Sequence, residues 1–126
     1  MKLLVCILVL LCLLFAGCLL AVSYIQTTAN AIAAHFDTLE TAIDQEDWEQ
    51  ALELFSHCEA EWERVSLRWK AIINHDDLRD IEISFVEMKA VLEQRELIKA
   101  QQEMATLRYY MLHVPANERV RLNNVL

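Results

Sequence analysis

Residues 2–22 read KLLVCILVLLCLLFAGCLLAV, and this stretch decides the architecture of the chain. Every residue from Leu3 to Val22 is apolar or glycine. As an α-helix these residues cover about 30 Å, the thickness of the hydrocarbon core of a bilayer. A cleavable secretory signal has a shorter apolar core, of roughly 7 to 15 residues. The stretch therefore predicts an uncleaved transmembrane anchor at residues 1–25.

Two alternatives for the amino terminus involve cleavage. Ala29-Asn30-Ala31 has the A-x-A form of a signal-peptidase site, and residues 14–18 are similar to a bacterial lipobox. The first motif lies well beyond the apolar run. In the second, Cys18 is followed by four more apolar residues, whereas a mature lipoprotein becomes polar there. Both alternatives fit the sequence less well than an anchor.

The basic residues predict the orientation of this anchor. Lys2 and the amino terminus precede the span, and the first arginine after it is Arg64. The positive-inside rule then places the amino terminus in the cytoplasm and the C-terminal domain outside it. From Asp37 to Glu63 there are acidic residues and no lysine or arginine, and the net charge is -8. This charge is repelled by an anionic lipid surface and by nucleic acid, so it disfavours nucleic acid as a partner, and it is typical of a solvated helix surface.

The remaining residues predict an all-α domain of four helices. The chain contains only one glycine and one proline, the residues that tight turns often require, so β-hairpins are disfavoured. Asp47 with Gln50 and the cluster at 74–77 offer helix caps, and Pro115 is predicted to end the last helix. Apolar residues recur at steps near three and four in four stretches: Ile25, Ile32, Phe36, Leu39, Ile43; Trp48, Leu52, Phe55, Trp62, Val65, Trp69, Ile72; Leu78, Ile81, Phe85, Met88, Leu92; Leu97, Ala100, Met104, Leu107, Met111.

A weak internal duplication divides these helices into two hairpins. Phe36 aligns with Phe85, 49 positions later, and the polar turn at the end of the helix aligns in both copies. The hairpins could close as a four-helix bundle or stack as a short repeat, and we expect the bundle because two repeats rarely stand alone. The predicted organisation is an anchor at 1–25, a helical extracytoplasmic domain at 26–114 and a tail at 115–126.

The sequence lacks the common catalytic motifs: a glycine-rich phosphate loop, Cys-x-x-Cys, and His-Glu-x-x-His. His57, Glu61 and Glu53 have the spacing of a metal site, but acids are so frequent in this helix that chance explains the trio better. We therefore expect no enzyme, no metal and no cofactor, with His57 at the surface. Cys58, the one cysteine beyond the span, is expected to be a small buried apolar residue.

Four residues form a candidate structural or interaction signature. Trp62 and Trp69 lie one heptad apart on one helix face, where core packing is the default and an exposed anchor for a partner helix is the alternative. His75 and Asp76 lie in a polar connection, where ordering of the turn is the default and proton sensing is the alternative.

The same residues carry a family resemblance. Together they resemble the domain-of-unknown-function family 4363, small proteins of Gram-positive, often spore-forming bacteria. This resemblance implies an N-terminal membrane helix followed by a helical domain, and it implies no activity. The positions that carry it are Trp62, Val65, Trp69, Ile72, His75, Asp76, Ile81 and the closing Asn124-Val125-Leu126.

These observations predict a non-catalytic, membrane-anchored module that binds another integral membrane or envelope protein. The alternative is an envelope sensor or accessory subunit that responds to a small ligand, a metal or pH. An exported hydrolase would need a nucleophile and base that the sequence does not reveal. The oligomeric state stays open, and a homo-oligomer is compatible with the sequence.

Overall fold

The chain is helical throughout the part that the structure describes. This computed structural model describes residues 1–125, apart from the side chains of residues 122, 123 and 125, so the closing Asn124-Val125-Leu126 motif lies partly outside it. Residues 1–125 contain no strand, which confirms the predicted all-α class. The helices are α1 Lys2–Ala34, α2 Phe36–Asp44, α3 Trp48–Trp69, α4 His75–Glu93 and α5 Leu97–Val125.

Helix α1 is both the apolar span and the start of the domain. Its first part is long and apolar enough to cross a membrane, and it does not pack against the rest of the chain. From Ile25 onward, side chains at helical spacing enter the core. The helix breaks at His35, whose N–H donates to the carbonyl of Ile32 at 3.1 Å, and α2 begins at the next residue. The apolar span therefore continues into the domain without a linker.

The helices close into a four-helix bundle. One arm consists of the end of α1 together with α2, and the other three arms are α3, α4 and α5. Both α2 and α4 pack against α3 and against α5. The contact between the first arm and α5 closes the ring, so the hairpins α2–α3 and α4–α5 form a bundle rather than an open stack. Because successive arms alternate in direction, the α3–α4 loop lies at the end of the bundle nearest the span.

The predicted apolar stripes form the core, and their burial is the main source of stability. One predicted core position is wrong. Helix α3 ends at Trp69, and the turn that follows exposes Ile72 and buries Ile73 in its place. The buried apolar residues are Ile25, Ala29, Ile32, Ala33, Phe36, Leu39, Ala42, Ile43, Ala51, Phe55, Cys58, Trp62, Trp69, Ile73, Leu78, Ile81, Phe85, Met88, Leu92, Ala100, Met104, Leu107, Met111 and Val114.

The two turns at the far end of the bundle have the same backbone structure. Helices α2 and α4 are each followed by a residue of positive φ, Glu46 and Arg95, both at 55°. In both turns this residue donates its N–H to the carbonyl three residues earlier, at 2.9 and 3.2 Å. The next residue donates to the carbonyl five residues earlier, at 3.0 and 3.3 Å. Each turn is a Schellman motif. Since Glu46 and Arg95 are 49 positions apart, the internal duplication includes the turn geometry.

The predicted end of the last helix at Pro115 is wrong. Helix α5 continues through Pro115 to Val125. A proline inside a helix removes a backbone hydrogen bond and costs roughly 3 kcal/mol. Here Val114 and Pro115 are buried, and α5 packs along α1, so tertiary contacts offset this cost. Residues 115–125 are therefore the last turns of a bundle helix rather than a tail.

Candidate functional site

Trp62 and Trp69 lie in the core, where they connect α3 to two neighbouring helices. Their side chains are 4% and 0% exposed, and their rings meet edge to face with centroids 5.2 Å apart. Trp62 stacks on Phe85 of α4 at 5.8 Å, with 11° between the ring planes. The indole N–H of Trp69 donates to the Thr28 hydroxyl oxygen of α1 at 2.9 Å. This burial fits the core interpretation of the pair and not that of an exposed anchor.

A groove of about 370 Å³ lies between α3 and α4, with the stacked rings of Trp62 and Phe85 along it. Two aliphatic side chains, Leu67 of α3 and Val86 of α4, also line it and are 72% and 70% exposed. Large aliphatic side chains exposed beside an aromatic surface are characteristic of a site that another apolar surface covers. We name the residues lining this cavity the α3–α4 groove.

The rim of the α3–α4 groove is charged and mostly acidic. Lys70 pairs with Glu82 across the two helices at 3.2 Å. Lys89 pairs with Glu59 at 3.5 Å near the other end. Glu63 also lines the groove. Two of the three carboxylates along the groove are thus paired with lysines, and Glu63 has no such partner among the described residues, which leaves one negative charge that favours a basic group on a partner.

His75 and Asp76 lie in the exposed first turn of α4. Asn74 caps this helix, because its side chain accepts a hydrogen bond from the backbone N–H of Asp76 at 3.5 Å. The Asp76 carboxylate pairs with Arg79 one turn later at 3.2 Å. A carboxylate in the first turn also interacts favourably with the helix dipole. Asp76 therefore helps to order the start of α4.

A second groove, of about 410 Å³, contains two histidines. It lies where α1 breaks, and it is lined by His35, His57, Glu61 and Arg64 with two apolar residues. Nε2 of His35 is 3.8 Å from a carboxylate oxygen of Glu61. His57 is exposed, as the sequence predicts.

The metal-like trio of the sequence does not converge in this groove. Glu53 is not among its lining residues, and Glu61 faces His35, at the break between α1 and α2, as well as Arg64. Among residues 1–125, no three His, Cys, Asp or Glu side chains are placed to hold a metal ion.

Two side chains among the described residues have a raised pKa. Burial raises the pKa of the Cys58 thiol to about 11, and the charge of Glu61 adds to this effect. The thiol is therefore protonated and a poor nucleophile at neutral pH. Burial also raises the pKa of Glu103, and repulsion from the nearby Glu87 carboxylate adds to this effect. Neither Cys58 nor Glu103 lines one of the two grooves.

The sequence did not point to the aliphatic residues of the α3–α4 groove. Leu67 and Val86 lie outside the apolar stripes of their helices, and a single exposed aliphatic residue is common at any surface. Their significance comes from their position on facing helices, which helical periodicity does not specify. The one usable signal was the pair of large apolar residues at positions where the stripe predicts polar ones.

The fold and the groove define a class of protein: a four-helix bundle carried on an apolar N-terminal helix, with an apolar groove between two of its arms. The chain belongs to the family described as Domain of unknown function (DUF4363), which matches residues 19–125. The match begins near the C-terminal end of the apolar span and reaches the last residue of α5. No curated protein and no solved structure matches the chain.

Proposed function

We propose that this protein is a non-catalytic module held in the cell membrane by α1, with its bundle outside the cytoplasm. The bundle binds another integral membrane or envelope protein through the α3–α4 groove. The observation that carries this proposal is the exposure of Leu67 and Val86 beside the Trp62–Phe85 stack. A span that tethers the bundle also raises the local concentration of any partner in the same membrane.

The packing of α1 supports an uncleaved anchor. Cleavage after Ala31 would remove Ile25 and Ala29, which are fully buried in the bundle. It would also remove Thr28, which accepts the hydrogen bond of Trp69. A bundle without these residues would expose an apolar face and lose part of its first arm.

The chemistry of the groove indicates the kind of partner. Apolar walls between two helices suit an amphipathic helix that inserts its apolar side chains. The carboxylate of Glu63, which has no lysine or arginine partner among the described residues, favours a lysine or arginine beside that apolar face. The partner is thus a membrane or envelope protein that presents an apolar helix with basic flanks.

The test uses crosslinking in membranes that contain the full-length chain, followed by quantitative recovery of crosslinked proteins. Val86→Arg and Leu67→Arg place a cation in the groove without disturbing the core, because both side chains are exposed. Ile98→Arg is a matched control, since Ile98 is 69% exposed but lies on α5. We expect one partner at equal yield with the wild type and the control, and about tenfold less with the groove variants, or about 1.4 kcal/mol of binding free energy.

Equal recovery from all four chains would contradict the groove as a binding site. An equal loss from Ile98→Arg would show that added charge alone reduces recovery. Recovery of crosslinked copies of the chain alone would indicate a homo-oligomer instead of a complex with another protein. A reduced helical signal in a groove variant, checked by circular dichroism, would show that Leu67 or Val86 is needed for folding rather than for binding.

One observation favours a second candidate function, that of an envelope sensor or accessory subunit. His35 lies at the break between α1 and α2, facing Glu61, with His57 and Arg64 in the same groove. The contact of His35 with Glu61 links an imidazole to the junction between the two helices of the first arm, which is an arrangement that a pH-responsive bundle requires. A comparison of thermal unfolding at mildly acidic and neutral pH in the wild type and in His35→Gln tests this function. Identical pH dependence would contradict it.

A further inference from the structure

Two arginines flank α1 where the apolar span ends. The guanidinium of Arg68 donates to the Tyr24 hydroxyl at 3.4 Å. Arg119, in the last part of α5, lines a cavity of about 250 Å³ together with Leu19, Val22, Ser23, Gln26 and Thr27 of α1.

These arginines approach α1 from different sides. At about 100° per residue, the α1 residues beside Arg119 centre on a face nearly opposite the one that carries Tyr24 and Thr28. The α1 side chains that line the Arg119 cavity change along the helix, from the apolar Leu19 and Val22 to the polar Ser23, Gln26 and Thr27. Such a gradation is expected at the boundary between acyl chains and head groups. Arg68 and Arg119 therefore lie on both sides of the helix at the depth of the membrane interface.

Both arginines are unusual in the charge pattern of the bundle. Most cations beyond the span pair with a carboxylate, as in Lys70 with Glu82 and Arg121 with Asp77. Within residues 1–125, no carboxylate lies within 4.0 Å of Arg68, Arg95 or Arg119. In a chain of net charge -8, acidic partners are abundant and the bundle as a whole is repelled by an anionic surface, so attraction to lipid phosphates has to come from these local cations at short range.

Exposed aliphatic side chains accompany the two arginines. Val120 follows Arg119, and Ile72, one turn beyond Arg68, lies exposed in the α3–α4 loop at the same end of the bundle. An arginine next to an aliphatic side chain is suited to a surface where phosphates and acyl chains meet. The guanidinium can bind two oxygens of one phosphate.

We propose that Arg68 and Arg119 bind the phosphates of phospholipids that surround the outer end of α1, with a preference for anionic phospholipids. The inference rests on the proposed membrane anchoring, and it is independent of the α3–α4 groove. Lipid contacts on both sides of α1 would hold the bundle close to the bilayer. This would set the depth and orientation at which the groove meets its partner.

The test uses the full-length chain in nanodiscs of phosphatidylcholine and in nanodiscs of equal parts phosphatidylcholine and phosphatidylglycerol. The variants are Arg68→Gln with Arg119→Gln, Arg119→Gln alone, and Arg95→Gln as the matched control. Arg95 also lacks a carboxylate partner among the described residues, but it lies in the turn farthest from the span. The readouts are the thermal midpoint of the bundle and the phosphatidylglycerol retained in native mass spectrometry.

We expect the wild type and Arg95→Gln to have a higher midpoint in the anionic nanodiscs, because a ligand that binds the native state stabilises it. The double variant should lose this difference and retain several-fold less phosphatidylglycerol, and Arg119→Gln alone should lose part of both. If the double variant fails to fold, the single variant decides, since the Arg119 side chain is exposed.

Unchanged retention in the double variant, or an equal loss in Arg95→Gln, would overturn the proposal. Inorganic phosphate added to phosphatidylcholine nanodiscs should not shift the midpoint, and an equal shift would indicate a site for a soluble anion instead. Release of the chain from membranes at alkaline pH would refute the anchoring itself. Retention in the membrane without any lipid preference would refute only the role of the arginines.

Discussion

Trp69 and Trp62 of α3 connect this helix to two others, through one hydrogen bond and one ring stack. The indole N–H of Trp69 reaches Thr28 of α1, and its ring meets Trp62, which in turn stacks on Phe85 of α4. The bundle arm that continues the span is thus linked to the helices that form the α3–α4 groove. Damage to this pair should affect the whole bundle, because the two side chains join α3 to α1 and to α4.

Truncation of either tryptophan tests this role. Trp62→Ala or Trp69→Ala leaves a large cavity, so we expect a loss of about 3–5 kcal/mol in the free energy of unfolding. Trp69→Phe removes the N–H donor but keeps most of the ring, and about 1 kcal/mol should be lost. Trp48→Ala is the control, because Trp48 is only partly buried. Denaturant unfolding measures all four, and a loss in Trp48→Ala as large as the others would contradict the special role of the pair.

The carboxyl pair of Glu87 and Glu103 should make stability depend on pH. The pKa of Glu103 is higher in the folded bundle than in the unfolded chain. Between these two values of pH, the native state therefore binds more protons than the unfolded chain. Stability is therefore highest below this window and decreases as pH rises through the folded pKa. Glu103→Gln removes the repulsion, and we expect a gain of a few tenths of a kcal/mol at neutral pH.

Thermal unfolding over a range of pH measures this effect. The difference in stability between weakly acidic and neutral pH should be smaller in Glu103→Gln than in the wild type. Glu93→Gln, at an exposed position of the same hairpin, should leave that difference unchanged. A loss of stability in Glu103→Gln at neutral pH would show that the ionised carboxylate has a favourable partner.

At the scale of the helices, the two Schellman turns offer a direct test of the duplication. Glu46 and Arg95 both adopt φ of 55°, which is strained for a residue with a Cβ atom. Glycine at either position removes this strain, so Glu46→Gly and Arg95→Gly should each raise the free energy of unfolding by up to about 1 kcal/mol. The double variant should show additive gains, because the turns belong to separate hairpins.

Glu49→Gly, inside the first turn of α3, is the control for these glycine variants. It should lower stability by about 0.5–1 kcal/mol, because glycine is a poor helix former. Chemical denaturation compares the variants. If only one of the two turn variants gained stability, the turns would differ in strain and the duplication would be less exact than their backbone indicates.

At the scale of the molecule, the sequence predicted the parts that depend on local periodicity. Four apolar stripes became four arms, and the aligned turns of the duplication became matching Schellman motifs. Asp47 caps α3 by accepting a hydrogen bond from the N–H of Gln50, as its spacing predicts. These features could be read from the sequence because each depends on residues within a few turns of one another.

Features that depend on contacts between helices could not be predicted in this way. Pro115 predicts a helix end, but packing on α1 outweighs the lost hydrogen bond. The pairing of His35 with Glu61 and the exposure of Leu67 beside Val86 depend on which helix faces are adjacent. Stripe periodicity specifies which side of a helix is buried, and it does not specify which helix lies next to the exposed side.

The most direct measurement for the whole molecule is alkaline extraction of membranes, followed by mass spectrometry of the intact chain. The packing of Ile25, Thr28 and Ala29 in the bundle leads us to expect the uncleaved chain in the membrane pellet, from its first residues to the last. A soluble chain that begins near Ile32 would contradict an anchored bundle, because the apolar helix would then be a signal peptide. A lipid-modified chain that begins at Cys18 would replace the transmembrane anchor with a lipid anchor.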